Sequence, residues 1–176
     1  MRKSIPLTAA VAALALALLP AAAHASASSA SPRAAHATAT AASAAGEVAT
    51  MRGLINQARR SAGLRPLRAD GVLRRAAGLK LGRIAACGQF THTPCGAAFT
   101  AAFAAAGWQR GTMGENIAFG SSSLGSAAAI FQSWMQSPGH RANIMSRSFR
   151  YEGLAVRSVS LPGLGAVRVW VNTFGG

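Results

Sequence analysis

From residue 48 onward the apolar positions recur at helical spacing. Met51, Leu54, Ile55 and Ala58 predict one face of a helix over 48–61, with Arg52, Arg59 and Arg60 on the other. Gly63 and Pro66, in the stretch SAGLRPL, stop it. Asp70 is placed to cap a second helix, because its carboxylate can accept from the free N–H groups of the first turn. That helix carries Leu73, Ala76, Ala77, Leu81, Ile84 and Ala85 on one side and Arg74, Arg75 and Arg83 elsewhere. A third, small-residue stretch over Ala97–Ala106 ends at Gly107. The period then changes. The IAF core within Gly111–Gly120 reads as a buried strand. A fourth helix is expected over Ser126–Gln136, with Ile130 and Trp134 inward. Ser137 as N-cap and Pro138 at the first helical position restart a short fifth. β-Branched residues alternate through Gly153–Val159 and Val167–Phe174, two strands joined by the loop SLPGLGA. Helices early and antiparallel strands late predict an α+β fold rather than repeated βαβ units.

The N-terminal residues follow another pattern. Arg2 and Lys3 precede the apolar run Ala9–Leu19, Pro20 ends the run, and Ala23-His24-Ala25 offers a small-x-small cleavage site. This order of charge, apolar core and cleavage site predicts a secretory signal peptide over residues 1–25. The competing reading, an uncleaved anchor, lacks the roughly 20 apolar residues a span requires. Residues 26–46 are rich in Ala, Ser and Thr without a large apolar side chain, which predicts a disordered tail. Residues 47–176 remain as one domain, and a soluble secreted product is expected.

The charge is one-sided. The 176 residues hold 18 Lys and Arg against four acids, a net charge of +14. Such a balance attracts polyanions. For an exported protein the expected partners are an anionic wall polymer or a lipid surface, met through the Arg-rich helices; solubility alone is the plainer reading. Nine cations lie between Arg52 and Arg83: Arg52, Arg59, Arg60, Arg65, Arg68, Arg74, Arg75, Lys80 and Arg83, with Asp70 the one acid among them. Nucleic acid is not the expected partner.

Familiar catalytic motifs are missing: no P-loop, no H-E-x-x-H and no C-x-x-C. The serine run over residues 120–125 has Leu124 where the G-x-S-x-G elbow needs glycine, and Gly163-Leu164-Gly165 sits between strands rather than between strand and helix. No nucleotide cofactor is expected. Past the tail the chain keeps two histidines, His92 and His140, and four acids, Glu47, Asp70, Glu115 and Glu152. Asp70 has a cap to make and Glu47 lies at the edge. Glu115, in Gly114-Glu115-Asn116, is the acid expected inside.

Several short segments now line up in order: LINQARRSAGLRPL, VLRRAAGLKLGRIA, FTH, AAAGW, GENIAFG, WMQSPGHRANIM and VWVNTFGG. Along residues 50–174 the chain resembles the bacterial CAP-domain proteins, the SCP-like family of cysteine-rich secretory proteins, antigen 5 and pathogenesis-related proteins. The resemblance implies a three-layer αβα sandwich around a mainly antiparallel sheet, with an open cleft. It carries over His92, Glu115 and His140 as the cleft residues. Animal members have a second acid three residues after the helix tryptophan. This chain has Ser137 there, so a two-acid mechanism lacks its second member.

Three readings of the cleft follow. His92, His140 and Glu115 form a candidate metal set, since two His and one Glu also serve catalytic zinc sites, with zinc or another divalent cation as the expected ion. The same three residues are the catalytic candidates for a metal-dependent hydrolase. The third reading is a hydrogen-bonded polar cluster that ties strand to helix, leaving the cleft inert. His140 falls in the first turn of its helix, whose positive end disfavours an imidazolium. Cys87 and Cys95 bracket His92, and in an exported chain two cysteines are expected to pair. Cysteine–histidine catalysis is the alternative. The leading function is binding of an extracellular, wall or lipid ligand.

Overall fold

The structure, a computed structural model, describes residues 32–109 and 111–176. The export signal and the start of the tail lie outside the described residues. The elements, in chain order, are α1 (Pro32–Ser61), β1 (Arg68–Ala69), α2 (Gly71–Cys87), α3 (Ala101–Ala106), β2 (Met113–Gly120), α4 (Ala127–Gln136), α5 (Pro138–Met145), β3 (Tyr151–Leu161) and β4 (Gly165–Gly175). The class is α+β, as the pattern predicts.

The strands form one sheet in the order β1-β3-β4-β2. β3 and β4 are an antiparallel hairpin closed at Leu161↔Gly165, β2 pairs antiparallel with β4, and β1 runs parallel to the start of β3. Alternation in the strands builds two cores. Leu154, Trp170 and Phe174 face α1, α4 and α5, where they meet Met51, Ile55, Ile130, Trp134 and Ile144. Ile117, Val159, Val169 and Val171 face the other way, onto Ala77, Leu81 and Ile84 of α2. A smaller cluster of Leu73, Ala76, Phe103, Ala106 and Trp108 joins α2 to α3. Helices on both faces of one sheet give the three layers that the family resemblance implies.

Local chemistry sets the positions. Asp70 caps α2: its Oδ1 accepts from Val72 N at 2.8 Å and from Leu73 N at 3.0 Å. Gly88 closes α2 with a left-handed φ of 61°, its N–H donating to Ile84 O. α2 lies directly on β3 at Gly153, where any Cβ would fall 2.0 Å from the Leu73 carbonyl carbon. Thr173 Oγ1 donates to Leu73 O at 2.9 Å and ties the same turn to β4.

Some elements differ from the pattern. α1 starts at Pro32, so residues 32–46, where composition predicted no order, form the first half of that helix. Alanine, frequent in this stretch, loses no side-chain freedom in a helix. α3 begins at Ala101 rather than Ala97, because a tight 3-10 turn over Pro94–Gly96 leaves the chain extended at Ala97. Ser137 takes the N-cap position of α5, but its side chain makes no capping hydrogen bond. Arg59 and Lys80, counted among the surface cations, are both 1% exposed. No helix among the described residues is long and apolar enough to cross a membrane.

Candidate functional site

Glu115 is the third residue of β2, an edge strand, and it points with Ile117 toward α2. Its side chain is fully buried. Two cationic or protic groups meet its Oε1: His92 Nδ1 at 2.8 Å and Lys80 Nζ at 3.2 Å. Lys80 reaches out of α2 to do this. Its ammonium also donates to the His92 carbonyl oxygen and lies 5.5 Å from the centre of the Phe99 ring. The lysine thus holds the carboxylate and the histidine backbone together. Glu115 Oε2 has no hydrogen-bond partner among the described residues.

The His92 side chain is 45% exposed. With Nδ1–H donating to the carboxylate, the neutral ring keeps Nε2 as an acceptor. The segment carrying His92 is pinned at both ends. Cys87, the last residue of α2, is joined by a disulfide to Cys95, as expected of the pair. Among the described residues no cysteine is free. Cys95 itself takes a left-handed φ of 55°, and its N–H donates to Gln89 Oε1 at 2.8 Å.

His140 approaches the same strand from the other face. Asn116 Nδ2 donates to His140 O at 3.0 Å, and Asn143 Nδ2 donates to Asn116 Oδ1 at 2.8 Å and to Glu115 O at 3.2 Å. Two asparagines therefore clip α5 onto β2. The His140 ring stands 6.5 Å from that of Trp134. Burial lowers its pKa below the ordinary 6.5, and the charge on His92 lowers it further. The neutral form expected from the sequence is favoured, by burial first rather than by the helix end.

The three carried-over residues are thus divided. His92 and Glu115 are in contact, while His140 is linked to them through Asn116, Asn143 and the field of His92. Among the described residues no three His, Cys, Asp or Glu side chains gather as a metal-ligating group. Lys80 adds a second obstacle: a dication on Glu115 Oε1 would stand beside a buried ammonium, and like charges at that distance repel strongly. The residues present fit a divalent cation poorly.

Sequence reasoning missed four participants. Lys80 follows Ala76 and Ala77 and precedes Ile84 at helical spacing, on the apolar stripe of α2. Asn116 and Asn143 lie inside the GEN and HRANI segments. Glu152, read only as one acid of four, is fully buried on β3, with Arg52 Nε at 3.1 Å and Asn172 Nδ2 at 3.3 Å. Burial raises its pKa to about 7, against the pull of Arg52 and Asn172.

Comparison with known proteins follows this geometry. The family model described as "Cysteine-rich secretory protein family" matches residues 52–168. Among solved structures, an outer surface protein of Borrelia burgdorferi superposes with a TM-score of 0.62 at 17% identity, covering 73% of this chain and 91% of that one. A cysteine-rich secretory protein of Staphylococcus aureus gives 0.58 at 17% identity, over 73% of this chain and 38% of that one. An extracellular SCP-domain protein of Bacillus anthracis gives 0.58 at 20% identity, over 71% and 38%. The chain thus spans well under half the length of the latter two. A search of curated proteins finds no match. The matched model covers most of the chain: the chain belongs to the CAP family of cysteine-rich secretory proteins.

Proposed function

We propose that this chain is an extracellular or cell-surface binding module whose cleft is built to hold a ligand rather than to turn one over. One observation carries the reading. Glu115, the acid of the cleft, is buried and shared between Lys80 and His92 at 3.2 and 2.8 Å. A carboxylate engaged in this way is a buttress: it orients His92 and offsets Lys80, and it offers no exposed base to a substrate or a water. With Ser137 at the place of a second acid, a general acid–base pair is incomplete. The half-exposed His92 ring and the His140 ring, whose pKa burial lowers, are left as hydrogen-bonding groups for a ligand.

The location rests on the N-terminal export pattern and on the outer-surface and extracellular descriptions of the structural neighbours. The net charge of +14 favours an anionic wall polymer or lipid surface as the ligand.

Two assays on the purified protein test the reading together. Co-sedimentation with purified wall polymer and with anionic vesicles should show retention that falls as salt rises through the screening range. A peptide and ester library should show no turnover above the background of a His92→Ala, Glu115→Gln, His140→Ala triple variant. Turnover that this variant abolishes would establish the hydrolase instead. Equal retention on neutral vesicles, or none on any surface, would remove the anionic ligand.

A further inference from the structure

Away from the His92–Glu115 cleft, a groove of about 750 Å³ opens between the segment after α1 and the connection from α5 to β3. Half of its ten lining residues are arginines: Arg59, Arg65, Arg68, Arg147 and Arg150. No carboxylate lines it. Four of these arginines are exposed, and Arg59 is the buried floor.

The groove is preorganised, because Arg59 bonds to both walls. Its Nε donates to Arg65 O at 2.8 Å, and its Nη1 to Ile144 O at 2.7 Å and Ser146 O at 2.9 Å. These carbonyls satisfy its hydrogen bonds without cancelling its charge. The wall backbones are fixed in turn: Arg68 N donates to Arg150 O at 2.9 Å through the β1–β3 pairing, and Arg150 N donates to Gly175 O at 2.8 Å. Five guanidiniums share one concavity with no carboxylate in its lining; Glu152, behind the floor, offsets part of the charge of Arg59 alone. Tyr151, Leu64 and Pro66 add apolar wall.

We infer that this groove is a binding site for a phosphate-bearing small molecule or headgroup. The guanidinium fork matches two phosphate oxygens at once, and the volume lies in the range of small-molecule sites. The inference rests on the reading of the chain as a binding module and adds to it a second site, apart from the cleft, with its ligand class.

Calorimetric titration of the purified protein with pyrophosphate, repeated with vesicles containing phosphatidic acid, tests it. One saturable site is expected for at least one of the two probes. Competition between them separates a free phosphate ester from a lipid headgroup as the source. Arg65→Ala/Arg68→Ala and Arg147→Ala/Arg150→Ala should each weaken binding at least about 10-fold, the scale of losing one charge-assisted contact. An Arg74→Ala/Arg83→Ala control on α2 should bind as wild type, and thermal melts should show all three variants folded. Equal loss in the α2 control would mean diffuse attraction and overturn the site. So would wild-type affinity in both groove variants, or no saturable binding of either probe. No saturable binding of either probe, together with salt-sensitive retention on wall polymer, would overturn the groove while leaving the binding module standing.

Discussion

Lys80 is the residue on which the cleft turns. It is a buried ammonium whose counter-charge is Glu115 and whose second acceptor is the His92 backbone. Removing one member of a buried pair strands the other, at about 3–5 kcal/mol. Lys80→Met should therefore destabilise the protein by that order in urea unfolding, and adding Glu115→Gln should recover part of the loss. If the double variant is no more stable than Lys80→Met, the two charges are not coupled. Glu152 gives a second test at this scale. Its pKa is raised from the ordinary 4.5 to about 7, so between those values the folded chain holds a proton that the unfolded chain has released. The stability from that proton is complete below about 4.5 and is lost as pH rises through about 7. From pH 5 to 8, wild type should lose stability relative to Glu152→Gln. His140, whose lowered pKa acts in the opposite sense, is common to both proteins and cancels. A constant difference across that range would contradict the assignment. Both Lys80 and Arg59 were legible: Lys80 lies on the Ala76–Ile84 stripe, and Arg59 follows Met51 and Ile55 on that of α1. Charge made them look like surface residues, although a long side chain can bury its stem and bond its head to carbonyls. Glu152 was legible in the same way, since strand alternation puts it on the face of Leu154 and Val156.

At the scale of elements, two local devices position the cleft. The Cys87–Cys95 bridge closes a short loop around His92, worth about 2–3 kcal/mol by chain entropy. A Cys87→Ala/Cys95→Ala variant should lose roughly that stability in urea unfolding; an unchanged midpoint would mean the loop is held by Gln89 and Lys80 alone. Asp70 caps α2, and Asp70→Ala should cost about 1 kcal/mol. The cap, the α5 restart and the β3–β4 hairpin could be read from sequence because each depends on neighbours along the chain. β1 could not. Two residues carry no period, and only the start of β3 gives them a partner. The meeting of His92 with Glu115 rested on the family resemblance, since residues 23 apart have no local rule to join them. The link of His140 to that contact through Asn116 and Asn143 follows from α5 lying on the other face of β2, a matter of layers rather than of spacing.

At the scale of the whole molecule, two charged regions stand apart. The cleft holds the Lys80–Glu115–His92 cluster, in which Glu115 Oε2 is left without a partner among the described residues, and the groove holds five arginines with no carboxylate in its lining. Among the cations of the early helices Arg59 and Lys80 are internal and Arg52 bonds to Glu152, while Arg147 and Arg150 of the groove come from a connection far along the chain. The ammonium of Lys80 already occupies the cationic place beside Glu115. Calorimetric titration of the purified protein with zinc near neutral pH tests this most directly. No saturable site involving the cleft is expected, with His92→Ala and His140→Ala giving the same heats as wild type. A single stoichiometric site that each of these substitutions removes, and that weakens as pH falls through about 6.5, would contradict it.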